Sequence, residues 1–373
     1  MKHLENIYRL GVKELWGLIR DPFLIFLIIF AFTFAPHTAG TAIPETISRA
    51  PIGVVDEDDS QLSKRIMSTF YHPYFEFSEI GLEQMDKGMD EGIYTFVLDI
   101  PPSFQADVLA GKEPSIQLNV DATLMSQAFA GAGYIQQIIM KEVSTFTQRY
   151  QSEEKLPVDL AIRMRFNPNL TESWFGSLME IINNITMIAI VLSGTALIRE
   201  RERGTIEHLL AMPVTPAEIM ISKVWSMGLV VLVVSGASLL FIIQGLIGVR
   251  IDGSIPLFMV GVGLHLFATT AMGITLATIA RNMPQFAMLL ILCLLPLEML
   301  SGATTPAESM PQMVRTIMQA APTTHFVSLA QSILYRGAGI ETVWRPFLAL
   351  AIVGSVFFSF SLARFRKTIS QMA

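Results

Sequence analysis

A chain of 373 residues with 51% hydrophobic and 16% charged side chains and a mean hydropathy of +0.49 is long enough for two domains and too apolar for an ordinary soluble protein. The net charge of -6 conceals a split, because residues 41–173 hold 10 Lys and Arg against 20 Asp and Glu while the rest hold 16 against 12. Two solvents are implied; the apolar fraction excludes disorder, the lack of a basic soluble face excludes a nucleic-acid binder, and the single Cys293 excludes a disulfide framework or a cysteine metal site.

Residues 1–22 predict a cytoplasmic amphipathic helix lying along the membrane interface. Asn6, Arg9, Lys13 and Arg20 fall on one face, and Leu4, Ile7, Tyr8, Leu15 and Leu18 on another. Glu5, Glu14 and Asp21 make this leader unlike the short basic start of a cleavable signal. A first span follows at 23–43, built on the apolar run from Pro22 to Ala35.

Residues 44–173 read as a folded extracytoplasmic α/β domain. Strand-like runs at Pro51 to Val55, Tyr94 to Leu98, Ser115 to Val120 and Ile162 to Phe166 alternate with helical patterns. A short helix is expected from Ser103 to Ala110, between Pro101-Pro102 and Gly111, and a longer one from about Thr123 to Tyr150 that buries Met125, Phe129, Ile135, Ile138, Ile139 and Phe146. The cluster Asp56-Glu57-Asp58-Asp59 lacks the spacing and glycine of a calcium loop. It reads instead as a strand end running into a helix capped by Asp59 or Ser60.

Further spans are expected at about 174–198, 224–249, 255–280, 283–302 and 346–363, with a tail at 364–373. The fold class is thus a polytopic α-helical membrane protein of six transmembrane helices with an inserted α/β extracytoplasmic domain. Twelve Lys and Arg side chains, among them Lys13, Arg199, Arg201, Arg203, Lys223 and Arg281, flank one side of the spans, against Arg250, Arg315, Arg336 and Arg345 on the other. Cytoplasmic flanks keep positive charge, which places both termini in the cytoplasm and the acidic block outside.

Between the second and third spans, Gly204 precedes Thr205, an N-cap for a helix through Met212 that Pro213 ends. Thr215-Pro216-Ala217-Glu218 is a capping box that restarts a helix running into the third span. Ile206, Leu209 and Leu210 amid charge form an apolar knob suited to a partner's groove, or a turn that merely reverses the chain. Within the spans, Asn183, Asn184 and Glu298, and with less support His265, are candidates for lining a substrate pathway, Glu180 lying close by. The competing reading is helix-to-helix hydrogen bonding. Met259, Met272, Met283, Met288 and Met299 are either packing filler or an adaptable surface. No catalytic, cofactor-binding or metal-ligating set is expected. There is no phosphate-binding glycine loop either, since Gly111-Lys112 is followed by Glu113.

The pattern formed by Glu202, Gly204, Thr205, Glu207, Leu209, Leu210, Pro213, Val214, Glu218, Ile219 and Lys223 resembles the cytoplasmic motif of ABC-2 type transporter permeases. The segment Ser301-Gly302, Pro306, Met310-Pro311, Pro322 to Phe326 and Arg336-Gly337 is similar to that family's stretch before the last span. Ser222 departs from it, the family often having glycine there. The resemblance covers nearly the whole chain. It is strongest to multidrug-type bacterial inner-membrane permeases that work beside a secretion-type adaptor.

The resemblance implies a coupling helix at about 205–212, an outer re-entrant segment at about 304–336, and a homodimer paired with ABC ATP-binding subunits that carry the ATP and Mg. It also implies a periplasmic membrane-fusion adaptor and an outer-membrane channel as partners, and export of amphipathic or drug-like molecules. Alternatives are a lipid or glycan exporter, a membrane scaffold or receptor that kept the permease fold, and a proton-coupled carrier using Glu180, His265 and Glu298.

Overall fold

The computed structural model describes residues 2–41, 49–71, 74–121, 125–150, 172–204, 213–303 and 310–370. In chain order the elements are α1 (Lys2–Ile19), α2 (Pro22–Thr41), β1 (Ala50–Asp56), α3 (Gln61–Met67), β2 (Phe75–Glu79), α4 (Leu82–Asp90), β3 (Phe96–Ile100), α5 (Phe104–Leu109), β4 (Gln117–Val120) and α6 (Met125–Tyr150). They continue with α7 (Glu172–Glu202), α8 (Pro216–Ile247), α9 (Ile255–Ile279), α10 (Met283–Met299), α11 (Gln312–Met318), α12 (Pro322–Leu334) and α13 (Ile340–Ser370). Two units result, one from residues 1–43 and 164–373, the other from residues 44–163.

In the first unit, α2, α7, α8, α9 and α13 are long and apolar enough to cross a membrane. The predicted span at 283–302 is the shorter helix α10, 17 residues with Pro296 inside it. At 1.5 Å per residue it reaches about 26 Å, slightly less than a hydrocarbon core of about 30 Å. Helix α9 is central, burying Phe258, Val262, His265, Leu266, Ala271 and Ile274 against α7, α12 and α13. Helix α13 differs from expectation at both ends. It passes through Pro346, inside its second turn, where the missing N–H removes the backbone bond to Thr342, and it continues through the predicted tail to Ser370.

Two helices widen into π turns, α2 at Phe30–Phe34 and α8 at Ser238–Ile247. Neighbouring side chains bond the carbonyls of the α2 turn. Asn184 Nδ2 donates to Ala31 O at 2.8 Å, and the Ser238 hydroxyl donates to Phe32 O. Such bulges recur at functional positions of helices.

The second unit is a four-stranded sheet in the order β2-β1-β3-β4, with β1 parallel to both β2 and β3 and β4 antiparallel to β3. The central strands are buried on both faces, which is why β1 and β3 read as almost unbroken apolar runs. On one face Ile52, Val54, Phe96 and Leu98 pack against α3, α5 and α6 through Leu62, Ile66, Phe104, Ile135 and Phe146. On the other, Val55, Ile80 and Val97 meet Met85 and Met89 of α4.

Strand β2 was missed in the sequence, although Phe75-Glu-Phe-Ser-Glu79 alternates with period two. The predicted strand at Ile162 to Phe166 lies outside the described residues, as do the side chains of Met125 and Phe129. Ser60 is the N-cap of α3, and Asp56 accepts from the backbone of Asp58 and Asp59 and from the Ser63 hydroxyl. The acidic cluster is therefore a strand-to-helix turn. Among the described residues no group of His, Cys, Asp and Glu side chains has the arrangement of a metal site.

Candidate coupling site

Helix α7 ends at Glu202, and Gly204 adopts φ +68°, a conformation that glycine takes without strain. Described structure resumes at Pro213, which is exposed, and Thr215 caps α8. The predicted capping box is present: Glu218 N donates to Thr215 Oγ1 at 3.3 Å and Thr215 N donates to Glu218 Oε2 at 2.5 Å. Glu218 is buried and bonded a third and fourth time, from His3 Nδ1 at 2.9 Å and Asn6 Nδ2 at 3.2 Å of α1.

Four consecutive residues at the end of α7 each grip a different element. The Arg199 guanidinium pairs with Asp21, which in turn caps α2 by accepting from Phe23 N and Leu24 N. Glu200 lies 2.7 Å from Lys223 of α8 and 2.7 Å from Lys13 of α1. Arg201 donates at 2.5 Å to the carbonyls of Ala277 and Ala280, the last turn of α9, where a cation meets the negative end of the helix dipole. Glu202 accepts from Met283 N at 2.8 Å, an anion at the positive end of α10.

Lys223 Nζ also lies 2.8 Å from Glu14 Oε1 of α1, and its side chain is 1% exposed. Burial raises the Glu14 carboxyl above its ordinary pKa, with Lys223 pulling the other way. Helix α1 turns Asn6, Ile7, Leu10, Gly11, Glu14, Leu15 and Leu18 inward, so that Glu14 is the one carboxylate on that face, and leaves Leu4, Tyr8, Trp16 and Ile19 exposed with Glu5, Arg9 and Lys13. Amphipathicity was legible in the sequence, but the face that meets protein was not. It docks tightly on α8: the Trp225 ring occupies the space a side chain at Gly11 would need, stacks with Tyr8 at 6.2 Å, and donates through Nε1 to Ile7 O at 3.2 Å.

The predicted coupling residues thus divide. Glu202 and Glu218 are structural anchors, Gly204 ends α7, Pro213 precedes the cap, and Thr205, Glu207, Leu209 and Leu210 lie outside the described residues, as does the 205–212 helix. Sequence reasoning missed the separate partners of Arg199, Glu200 and Arg201; the two arginines appeared only as flanking charge and Glu200 was not singled out. A sign that could have found them is the alternation of charge in Arg199-Glu-Arg-Glu202, which aims successive side chains about 100° apart around the helix.

Two of the predicted pathway residues, Asn184 and Glu298, share Glu180 as a neighbour. Asn184 is 4% exposed and also bonds Glu180 Oε1 at 3.1 Å, while Asn183 is half-buried. His265 is fully buried, 2.8 Å from Thr186 Oγ1 and stacked on Phe326 with ring centroids 4.0 Å apart. Glu298, half-buried on α10, lies within electrostatic reach of Glu180. Of the methionines, Met259, Met272 and Met283 pack against the core, whereas Met288 and Met299 are exposed.

The profile of the family described as ABC-2 family transporter protein matches residues 22–363. The chain belongs to this family. Over 374 residues and the full length of both chains it is 60% identical to the inner membrane transport permease YhhJ of Escherichia coli (strain K12). The probable multidrug ABC transporter permease YbhR of the same strain is 24% identical, with 98% of this chain and 99% of that one covered. The probable multidrug ABC transporter permease YbhS is 26% identical over 89% of each. With its apolar helices, the chain is an integral inner-membrane protein of the ABC-2 permease class.

Proposed function

We propose that the chain is the permease subunit of an ATP-driven exporter, acting as a homodimer with ABC ATP-binding subunits that supply ATP and Mg. It would carry amphipathic or drug-like molecules outward across the inner membrane. In this reading α2, α7, α8, α9, α10 and α13 all cross the bilayer, both termini are cytoplasmic, and residues 44–173 form the outer domain that meets an adaptor and channel. Residues 304–336 then dip into the outer leaflet, and Asn183, Asn184, Glu298 and His265 act by positioning helices beside the pathway.

One observation carries the reading. The motif-bearing loop is fastened at its start to α1, α2, α8, α9 and α10 through residues 199–202, and at its end to α1 through Glu218. A push on that loop by a partner therefore reaches every helix around it through charge-assisted bonds, with little slack. The names of two relatives support a drug-like cargo.

The test is purification of the tagged chain in mild detergent from its host, beside a Glu207→Lys, Leu209→Asp variant. An ATPase should accompany the original and be lost from a variant that is still folded. If no ATPase accompanies the original under several solubilisation conditions, the ATP-driven reading fails.

A further inference from the structure

A cavity of about 180 Å³ opens between α1 and the end of α7, lined by Lys13, Glu14 and Gly17 on one side and Arg199, Glu200 and Arg203 on the other. Its carboxylates are already engaged, Glu14 by Lys223 and Glu200 by Lys13 and Lys223, and Asp21 holds Arg199. Arg203 is exposed and has no counter-ion among the described residues. The cations Lys13, Arg199, Arg203 and Lys223 outnumber the carboxylates Glu14, Asp21 and Glu200 by one.

In the orientation proposed above, on which this inference rests, the cavity lies at the cytoplasmic ends of the spans, since Asp21 caps the start of α2 and Glu202 ends the apolar α7. Beside it α1 exposes Tyr8, Trp16 and Ile19, and the Arg20 guanidinium lies 5.9 Å from the Trp16 ring centre. An aromatic and basic rim of this kind is characteristic of the headgroup layer. Apart from its chain neighbours and the adjacent backbone of α1, no described atom lies within 4 Å of where a Gly17 side chain would begin, so the mouth is open there.

We infer that this cavity binds a phosphate diester, the headgroup of an anionic inner-leaflet lipid. Its single charge matches the excess cation, and Arg203 and Arg199 offer guanidinium donors suited to phosphate oxygens. The acyl chains then run along the exposed apolar side of α1. A bound lipid ties α1 to the end of α7, next to the coupling loop.

The test uses the full chain in phosphatidylcholine nanodiscs titrated with phosphatidylglycerol, bound lipid being counted by native mass spectrometry. Inorganic phosphate is the second probe. One phosphatidylglycerol per chain should bind saturably. Arg203→Gln should weaken it about fivefold, the effect of one basic side chain at an anionic surface. Gly17→Leu should abolish it while leaving every charge in place, and Arg281→Gln, an exposed arginine on another helix end, should leave it intact. Competition by millimolar inorganic phosphate supports the phosphate chemistry and assigns a soluble source, whereas binding that resists it assigns the lipid. Equal binding by Gly17→Leu and the original chain, or equal weakening by Arg281→Gln and Arg203→Gln, overturns the inference.

Discussion

Lys223 places a charge where water does not reach it, and it is tolerated because Glu14 and Glu200 lie on two sides of it. Removing it leaves two buried carboxylates with Lys13 alone. Lys223→Met should therefore destabilise the protein by about 3–5 kcal/mol, read as a fall in Tm in detergent. Adding Glu14→Gln to that variant should recover part of the loss, because the two residues form one network. An unchanged Tm for the single replacement would show that the network is not structural. The role of Lys223 was not visible in the sequence. There it stood as a flanking charge and as the last residue of the family motif, and its partners come from α1 and α7, elements the local pattern does not connect.

At the scale of elements, two contacts decide how the helices sit. The π turn of α2 takes a donor from Asn184, and Asn184→Ala leaves Ala31 O without it at a cost of about 1 kcal/mol. A matching drop in Tm with unchanged efflux per folded molecule would assign Asn184 to helix positioning; loss of efflux with unchanged Tm would assign it to the pathway. The docking of α1 depends on Gly11, whose missing side chain is replaced by the Trp225 ring. Gly11→Leu forces the two apart and costs about 1–3 kcal/mol. Cleavage by trypsin at Arg9 and Lys13 should then become rapid while the spans stay protected. The caps at Ser60, Thr215 and Glu218 were legible in the sequence because the donor and acceptor lie three residues apart. The pairing of β2 with β1 was not, since its alternation gives a face but no neighbour.

For the whole molecule, α10 sets the parity of the spans. If it crosses the bilayer, the two termini share a side. In a Cys293→Ser background, Lys112→Cys in the second unit should react with an impermeant maleimide on intact cells with a permeabilised outer membrane, while Lys2→Cys and Arg366→Cys should not. Labelling of Arg366→Cys alongside protection of Lys2→Cys would mean that the 17-residue helix does not cross.

The apolar runs, the charge asymmetry, the α/β reading of residues 44–173 and the family motif all came from the sequence, because hydrophobic periodicity and caps are properties of neighbours along the chain. Only the tertiary structure decided which face of α1 turns inward, that residues 199–202 hold separate elements, and that His265 is sealed between Thr186 and Phe326. Each of these depends on the meeting of side chains far apart in sequence, where charge and burial are set by the partner and not by the residue alone.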